Sequence, residues 1–423
     1  TRKQQQALLQ YNIRNNMGFA PNLKEIKAST KGVKLSAAQY FNSQENTAII
    51  VKSPYKQSEF FVIEMKKQTG IDSEMLRADG LLTYRINANA MGNGNGPPDF
   101  LYVWRPNDSS PTSSLGEHYF PFINPNTDIS QPLRHKTVGK AYGAEKAGFD
   151  ADTLFFSDGS NSGIVVDNLV MSPDGQTMTF DVTVPTLGGD GTEASPYLIS
   201  KAEDFKLLAE QPTAYFKLAN DIDLNGVPFS MINTGNGFLG QLDGDNHTIK
   251  NMTINAASGD AALMSSLGIG TNNVRGRVIN LVFENPVINA ANGNAAVVAS
   301  GSQGIIKNVH IKGGSVTATS LAGGFTANCG DTSELIECST TASIKGAAEA
   351  GGLSGRIHSG LVSMCFIGGS VGGAAPAQGA VTGKYYTSNG NSINVKNVYW
   401  NDAVGQIVAG TTDGNAKFAN TVG

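Results

Sequence analysis

Two carboxylate pairs, Asp221/Asp223 and Asp243/Asp245, have the spacing that acid–base chemistry on a polysaccharide would use. In an extended strand alternate residues share a face, so each pair would stand side by side. Both pairs also fall among turn residues, where Asp satisfies local backbone donors, and that structural role is the simpler expectation. No set of Lys, Arg and carboxylates recurs at matching positions, as a lyase cleft would need. Tyr385, Tyr386, Tyr399 and Trp400 could stack on sugar rings. Tyr385 and Tyr386 are the ligand-binding candidates, because Trp400 is better used in closing the core.

Metal chemistry has little to work with. His118, His135, His247, His310 and His358 form no H-E-x-x-H arrangement, and Cys329, Cys338 and Cys365 lack metal-ligand spacing. Asn93 to Gly96 with Asp99, and Asp150, Asp152 and Asp158, are oxygen-rich enough to suit calcium. Neither group follows a recognised calcium pattern, so loop solvation is the simpler reading. The sequence therefore assigns no catalytic residue, cofactor site or metal ligand, and the Asp pairs stand as the acid–base alternative.

Behind these residues lie two kinds of chain. Of 50 glycines, 15 fall in residues 1–188 and 35 in 189–423, whereas 11 of 16 prolines fall in the first part. The turn-rich run Pro185 to Gly191 marks the seam, giving domains 1–188 and 189–423. The first part predicts a helix over Gln4–Asn16, then strands at 47–51, 60–65, 80–86, 163–170 and 178–184, with loops over much of 87–160. That pattern is β-sandwich-like. With a net charge of −4 the chain has no basic surplus for nucleic acid, and no apolar run approaches the length that spans a bilayer. It opens on Thr1-Arg2-Lys3 with no apolar leader, as expected of a mature or excised piece.

The second part repeats. Segments beginning at Ile249, Val278, Ile306, Leu335, Val362 and Val395 share one pattern, with starts 29, 28, 29, 27 and 33 residues apart. A second anchor begins at Ala261, Ala295, Gly323, Gly351 and Gly379, and its last three steps are 28 residues each. Short apolar strands between glycine turns at this period suit the coil of a parallel β-helix, about six of them, in which each coil buries its neighbour. The fourth position (Met252, Leu281, Val309, Cys338, Cys365, Val398) should point inward. The third (Asn251, Asn280, Asn308, Glu337, Met364, Asn397) suggests a partial amide ladder at a bend. Cys338 and Cys365 then stack as buried thiols. The segment from Asp190 to Leu208 should cover the first coil.

Gly323-Gly-Phe-Thr-Ala327 and Gly351-Gly-Leu-Ser-Gly355 resemble the GLUG repeat of bacterial surface and secreted proteins, including metallo-type immunoglobulin A peptidases. The entry segments Tyr215 to Leu224 and Phe238 to Ile249 are similar as well. The resemblance spans 189 to about 400 and implies a right-handed parallel β-helix with an N-terminal cap. In the first part, Leu8-Leu-Gln-Tyr11, Glu59-Phe-Phe-Val-Ile-Glu64, Gly80-Leu-Leu-Thr-Tyr-Arg-Ile86 and Ser162-Gly-Ile-Val-Val-Asp-Asn168 resemble the region after the active site of immune-inhibitor-A-type zinc metallopeptidases. The zinc motif itself is absent, so no catalytic residue transfers. Zinc would belong only to a catalytic domain upstream. Together the resemblances imply an all-β, non-catalytic accessory region of a secreted or cell-surface bacterial protein, its solenoid meeting an extracellular or host protein or glycan. The alternatives are a stand-alone adhesin and a β-helix polysaccharide lyase or hydrolase using Asp221, Asp223, Asp243 and Asp245.

Overall fold

The computed structural model describes residues 23–37, 46–66, 80–90, 101–103, 154, 156–157, 161–358, 360–373, 377–386, 394–401, 409–412 and 418–419. The helix expected over Gln4–Asn16 and the calcium candidates Asn93 to Gly96, Asp99, Asp150, Asp152 and Asp158 lie outside them. The chain divides into two compact units, Thr1–Thr186 and Leu187–Gly423.

The first unit holds a five-stranded and a three-stranded sheet. Ala48–Lys52 and Glu59–Lys66 pair antiparallel, with Ile50 opposite Val62, across the Ser53-Pro54-Tyr55 turn. Gly80–Asn87 and Leu101–Val103 continue that sheet. Leu23–Ile26 joins it on the other side in parallel with Ala48–Lys52, a pairing that local pattern could not reveal. In the second sheet, Val165–Met171 and Thr177–Thr183 flank a turn closed by the Gly175 N–H on the Ser172 carbonyl at 2.8 Å. Gly175 sits at φ +67°, which its lack of a side chain permits. Strand alternation sends Met178, Phe180 and Val182 inward, and Thr30–Ser36 adds Val33 and Leu35 before lying against Glu59–Lys66.

The second unit is a parallel β-solenoid. Its longest sheet path stacks nine strands, from Tyr197–Ile199 through Arg277–Glu284 and Ile305–Lys312 to Phe418–Ala419. Five of the six repeats expected from sequence lie on this path and the one at Ile249 pairs beside it, so the solenoid has more coils than the six that the repeats predict. Three further parallel sheets, of five, six and four strands, close the coils. Val278, Ile306, Leu335, Val362 and Val395 form one buried row, and Leu281, Val309, Cys338, Cys365 and Val398 another.

The register corrects the first repeat. Ile249 pairs with Phe283, and Leu242 is the residue opposite Val278. The turn at Gly244 to His247 lengthens this coil at the bend, so Asn251 and Met252 belong to the next corner, not to the row of Asn280 and Leu281. The bend is a left-handed residue in each successive coil: Asn280 (φ 51°), Asn308 (53°), Glu337 (57°), Met364 (56°) and Asn397 (55°). Asn tolerates this conformation because its short amide can bond locally, which explains its recurrence. Gly324 and Gly352 mark the opposite corner. A Cβ on Gly324 would lie 2.3 Å from the Gly352 carbonyl oxygen, so a side chain there would force adjacent coils apart.

At the N-terminal end, Ala202–Lys206 and Leu207–Glu210 form a short helical turn that buries Phe205, Leu207 and Leu208. Asp204 fixes its start by accepting from the Ser200 and Lys201 N–H groups at 2.8 and 3.1 Å.

Candidate functional site

Each carboxylate of the Asp pairs has its own structural partner. Asp223 accepts from the Asn225 N–H at 3.0 Å and from the Asn251 side-chain amide at 2.8 Å. Asp243 accepts from the Asp245 N–H at 2.9 Å and from the Asn280 amide at 3.1 Å. Asn308 then donates to Asn280 at 2.9 Å. The amide ladder suggested by sequence is therefore real over three coils, but its foot is Asp243, while Asn251 rises separately from Asp223. Asp221 takes the Thr248 N–H at 3.0 Å and the Lys250 ammonium at 3.2 Å, and Asp245 pairs with Lys217 at 2.9 Å. The Thr248 N–H, followed by Lys250 and His247, holds the Asp221 carboxyl below its ordinary range. The Asn251 amide, then the Asn225 N–H, does the same for Asp223. These are the shifts of stabilised carboxylates, opposite to the raised pKa that a general acid needs.

The aromatic cluster is split between inside and outside. Tyr385 is fully buried, a correction to its expected role on the surface. It lies opposite Ile357 in the inward row of the strand Thr382–Tyr385, and period-two alternation sends Lys384 outward instead. Trp400 is buried beside Ile367, continuing the row of Phe283 and Ile311. Tyr399 is exposed on the long sheet next to Phe366. Tyr386 is half-buried. The His358 imidazole stacks on its ring at 5.0 Å, and Lys384 Nζ and Arg356 Cζ lie 4.5 and 5.2 Å from the ring centre.

Arg356 leads to a site that sequence reading missed. On the solvent side of the six-stranded sheet, Gly301, Asn328, Arg356 and Lys384 occupy one column on successive coils. Beside them opens a cleft of ≈ 510 Å³, lined also by Asp260, Asn294, Ser300 and Ser320. Most of the lining is already fixed. Asp260 accepts from the Asn294 N–H at 2.9 Å, from its side-chain amide at 3.3 Å and from the Ser300 hydroxyl. Glu349 clamps Arg356 through Nε and Nη2 at 2.8 and 2.6 Å, raising the guanidinium pKa further. The only sequence signal for this column was its period, 328 − 301 = 27, 356 − 328 = 28 and 384 − 356 = 28, hidden because its residue types change from coil to coil.

A second crevice of similar size lies at the cap, lined by Glu193, Tyr215, Lys217, Gln241 and Asp243, and its charged groups include the Lys217 and Asp243 already engaged above. The three cysteines are buried free thiols. Burial pushes Cys329 up to about 12 and, together with the adjacent Cys365, raises Cys338 well above its ordinary value, so neither is a ready nucleophile. Among the described residues no three His, Cys, Asp or Glu side chains converge to hold a metal ion, and no helix is long and apolar enough to cross a membrane.

No protein-family model matches the chain. A stretch of 167 residues, 36% of the chain, is 29% identical to halomucin of Haloquadratum walsbyi and spans 2% of that protein's length. A crystal structure from Bacteroides ovatus, provisionally identified as an immunoglobulin A1 protease, matches with a TM-score of 0.42 at 21% identity, over 55% of this chain and 76% of that one.

Proposed function

We propose that the chain is a non-catalytic, ligand-binding accessory region of a secreted or cell-surface bacterial protein, the C-terminal part of a zinc metallopeptidase, with the solenoid as its adhesive or substrate-binding face. The observation that carries this reading is how the polar groups are used. The acidic residues with catalytic spacing serve as ladder feet and turn acceptors, whereas the flank cleft still has hydrogen-bonding capacity to offer. The extracellular setting is supported by the GLUG-like repeats and by the partial likeness to halomucin. The metallopeptidase parentage rests on the resemblance of residues 5–185.

The test is to recover the native protein from its source with an antibody against the solenoid, and to measure its intact mass, zinc content and binding to immobilised extracellular matrix and mucin. A zinc-containing species well above 44.3 kDa that retains these surfaces supports the whole reading. A zinc-free species of this size that still binds leaves a stand-alone adhesin. Release of new sugar ends from polysaccharide, abolished by Asp243→Asn, would overturn the non-catalytic assignment.

A further inference from the structure

We infer that the flank cleft is a binding site for a neutral saccharide, held by Asn328 and Arg356 over the floor at Gly301; this rests on the binding role proposed above. Three features of the site converge. First, its unused groups are the right ones. The Asn328 side-chain Oδ1 is buried without a hydrogen-bond partner. Arg356 spends Nε and Nη2 on Glu349, which leaves Nη1 free on the neighbouring coil. An acceptor on one coil and two donors on the next suit sugar hydroxyls, each of which both donates and accepts. An orphaned buried amide oxygen is costly until such a donor arrives.

Second, there is room. A Cβ built on Gly301 would meet nothing within 4 Å, so the column has a gap where a side chain would otherwise stand. From the Gly301 coil to the Lys384 coil is three strand spacings, roughly 14 Å, enough for a short oligosaccharide lying along the solenoid axis. Third, charge selects the class. Glu349 neutralises Arg356, and the two charges that remain, the Asp260 carboxylate on the lining and the Lys384 ammonium at the end of the column, are opposite in sign, so the site carries no net charge. A uronate or sulfated sugar would lose at Asp260 what it gained at Lys384, so the site gives an anionic chain no advantage over a neutral one. A peptide would find little to fill: among the named lining residues Leu321 is the apolar one, and it is itself buried.

The experiment is calorimetric titration of the full chain with neutral hexasaccharides (cello-, manno-, galacto- and xylohexaose), and with oligogalacturonate and a heparin hexamer for comparison. At least one neutral hexasaccharide should bind, and neither anionic probe should bind more tightly. Asn328→Ala should weaken binding about tenfold or more, the equivalent of ~1.4 kcal/mol. Gly301→Gln, which fills the floor with a neutral side chain, should abolish binding, and both variants should keep the wild-type melting profile. Preference for the anionic probes, or binding that survives Gly301→Gln in a folded protein, would overturn the assignment. If the chain captures matrix or mucin and Gly301→Gln captures it equally well, the accessory-binding reading stands and this site is lost. If the chain captures nothing and binds no hexasaccharide, both fail together.

Discussion

Among the described residues of the N-terminal unit, a charge is buried as deeply as any polar group. The fully buried Glu59 carboxylate takes the Lys56 ammonium at 2.8 Å, the Ser157 N–H at 2.7 Å and the Arg85 Nε at 3.6 Å. In the solenoid the groups at equal depth are hydroxyls. Thr326, Ser354 and Thr382 stack on successive coils, with Thr326 donating to Ser354 at 2.9 Å. Its Arg356–Glu349 pair sits at the rim of the cleft, with the arginine side chain 30% exposed. The sequence separations differ as well: Ser157 is 98 residues from Glu59, while Thr326 and Ser354 are 28 apart. A sheet that closes over distant loops gains specificity from a charge cluster that only one arrangement can satisfy. A solenoid needs no such device, because each coil is specified by its neighbours.

The comparison breaks most visibly at Glu59. Glu59→Leu removes the acceptor of the Lys56 ammonium and the Ser157 N–H and should cost the N-terminal unit about 3–5 kcal/mol. Calorimetry with peptide-resolved hydrogen exchange should show that unit melting early and the solenoid unmoved; a joint shift of both would sink the idea that they are stabilised separately. Asn308→Leu should cost less, about 2 kcal/mol, by leaving the Asn280 amide oxygen without its donor and forcing a branched side chain into the left-handed corner. Exchange should rise in the flanking coils and fade with distance along the axis, whereas a uniform rise would contradict neighbour-only stabilisation.

A third substitution should have the opposite sign. Met364 is 51% exposed and holds the same corner with no amide to reward it. Met364→Asn should therefore raise the solenoid's stability by about 1 kcal/mol, read as a higher melting temperature.

The smallest effect is on pH. His310 Nε2 donates to the Asn308 amide oxygen at 3.0 Å, and Nδ1 lies 2.8 Å from the Ser339 hydroxyl. Burial, and then Lys312, lowers its pKa. A histidine whose folded pKa is depressed contributes stability above its unfolded value of about 6.5 and loses it as pH falls toward the folded value. The solenoid should weaken slightly just below pH 6.5. His310→Gln should flatten that slope, and an unchanged slope would assign the effect elsewhere.

How much of this was legible depended on whether information lay along the chain or across it. The solenoid was readable because Leu335, Val362 and their equivalents repeat at one spacing. The turns at Pro54 and Gly175 were readable from their own residues. The parallel pairing of Leu23–Ile26 with Ala48–Lys52 was not, because it links segments with no shared local signal. The first repeat was misaligned because Ile249-Lys-Asn matches its neighbours in letters while the Gly244 to His247 turn shifts it in space. Tyr385 and Tyr386 look alike in sequence and differ only in which side of the strand they leave. The cleft escaped notice because Gly301, Asn328 and Arg356 share a position but not a chemistry.

The hydroxyl stack has a consequence at the level of the gene. Thr326, Ser354 and Thr382 sit at equivalent points of three coils and differ by little more than a methyl group. An in-frame loss of codons 327–354 would splice Thr326 to Gly355 and bring Thr326 directly onto Thr382, hydroxyl to hydroxyl, with every inward row still apolar. Recombination between such repeats would therefore yield folded proteins whose lengths differ by whole coils. The coding sequence carries its own permitted sites of shortening and extension, and relatives should differ in reach before they differ in cross-section.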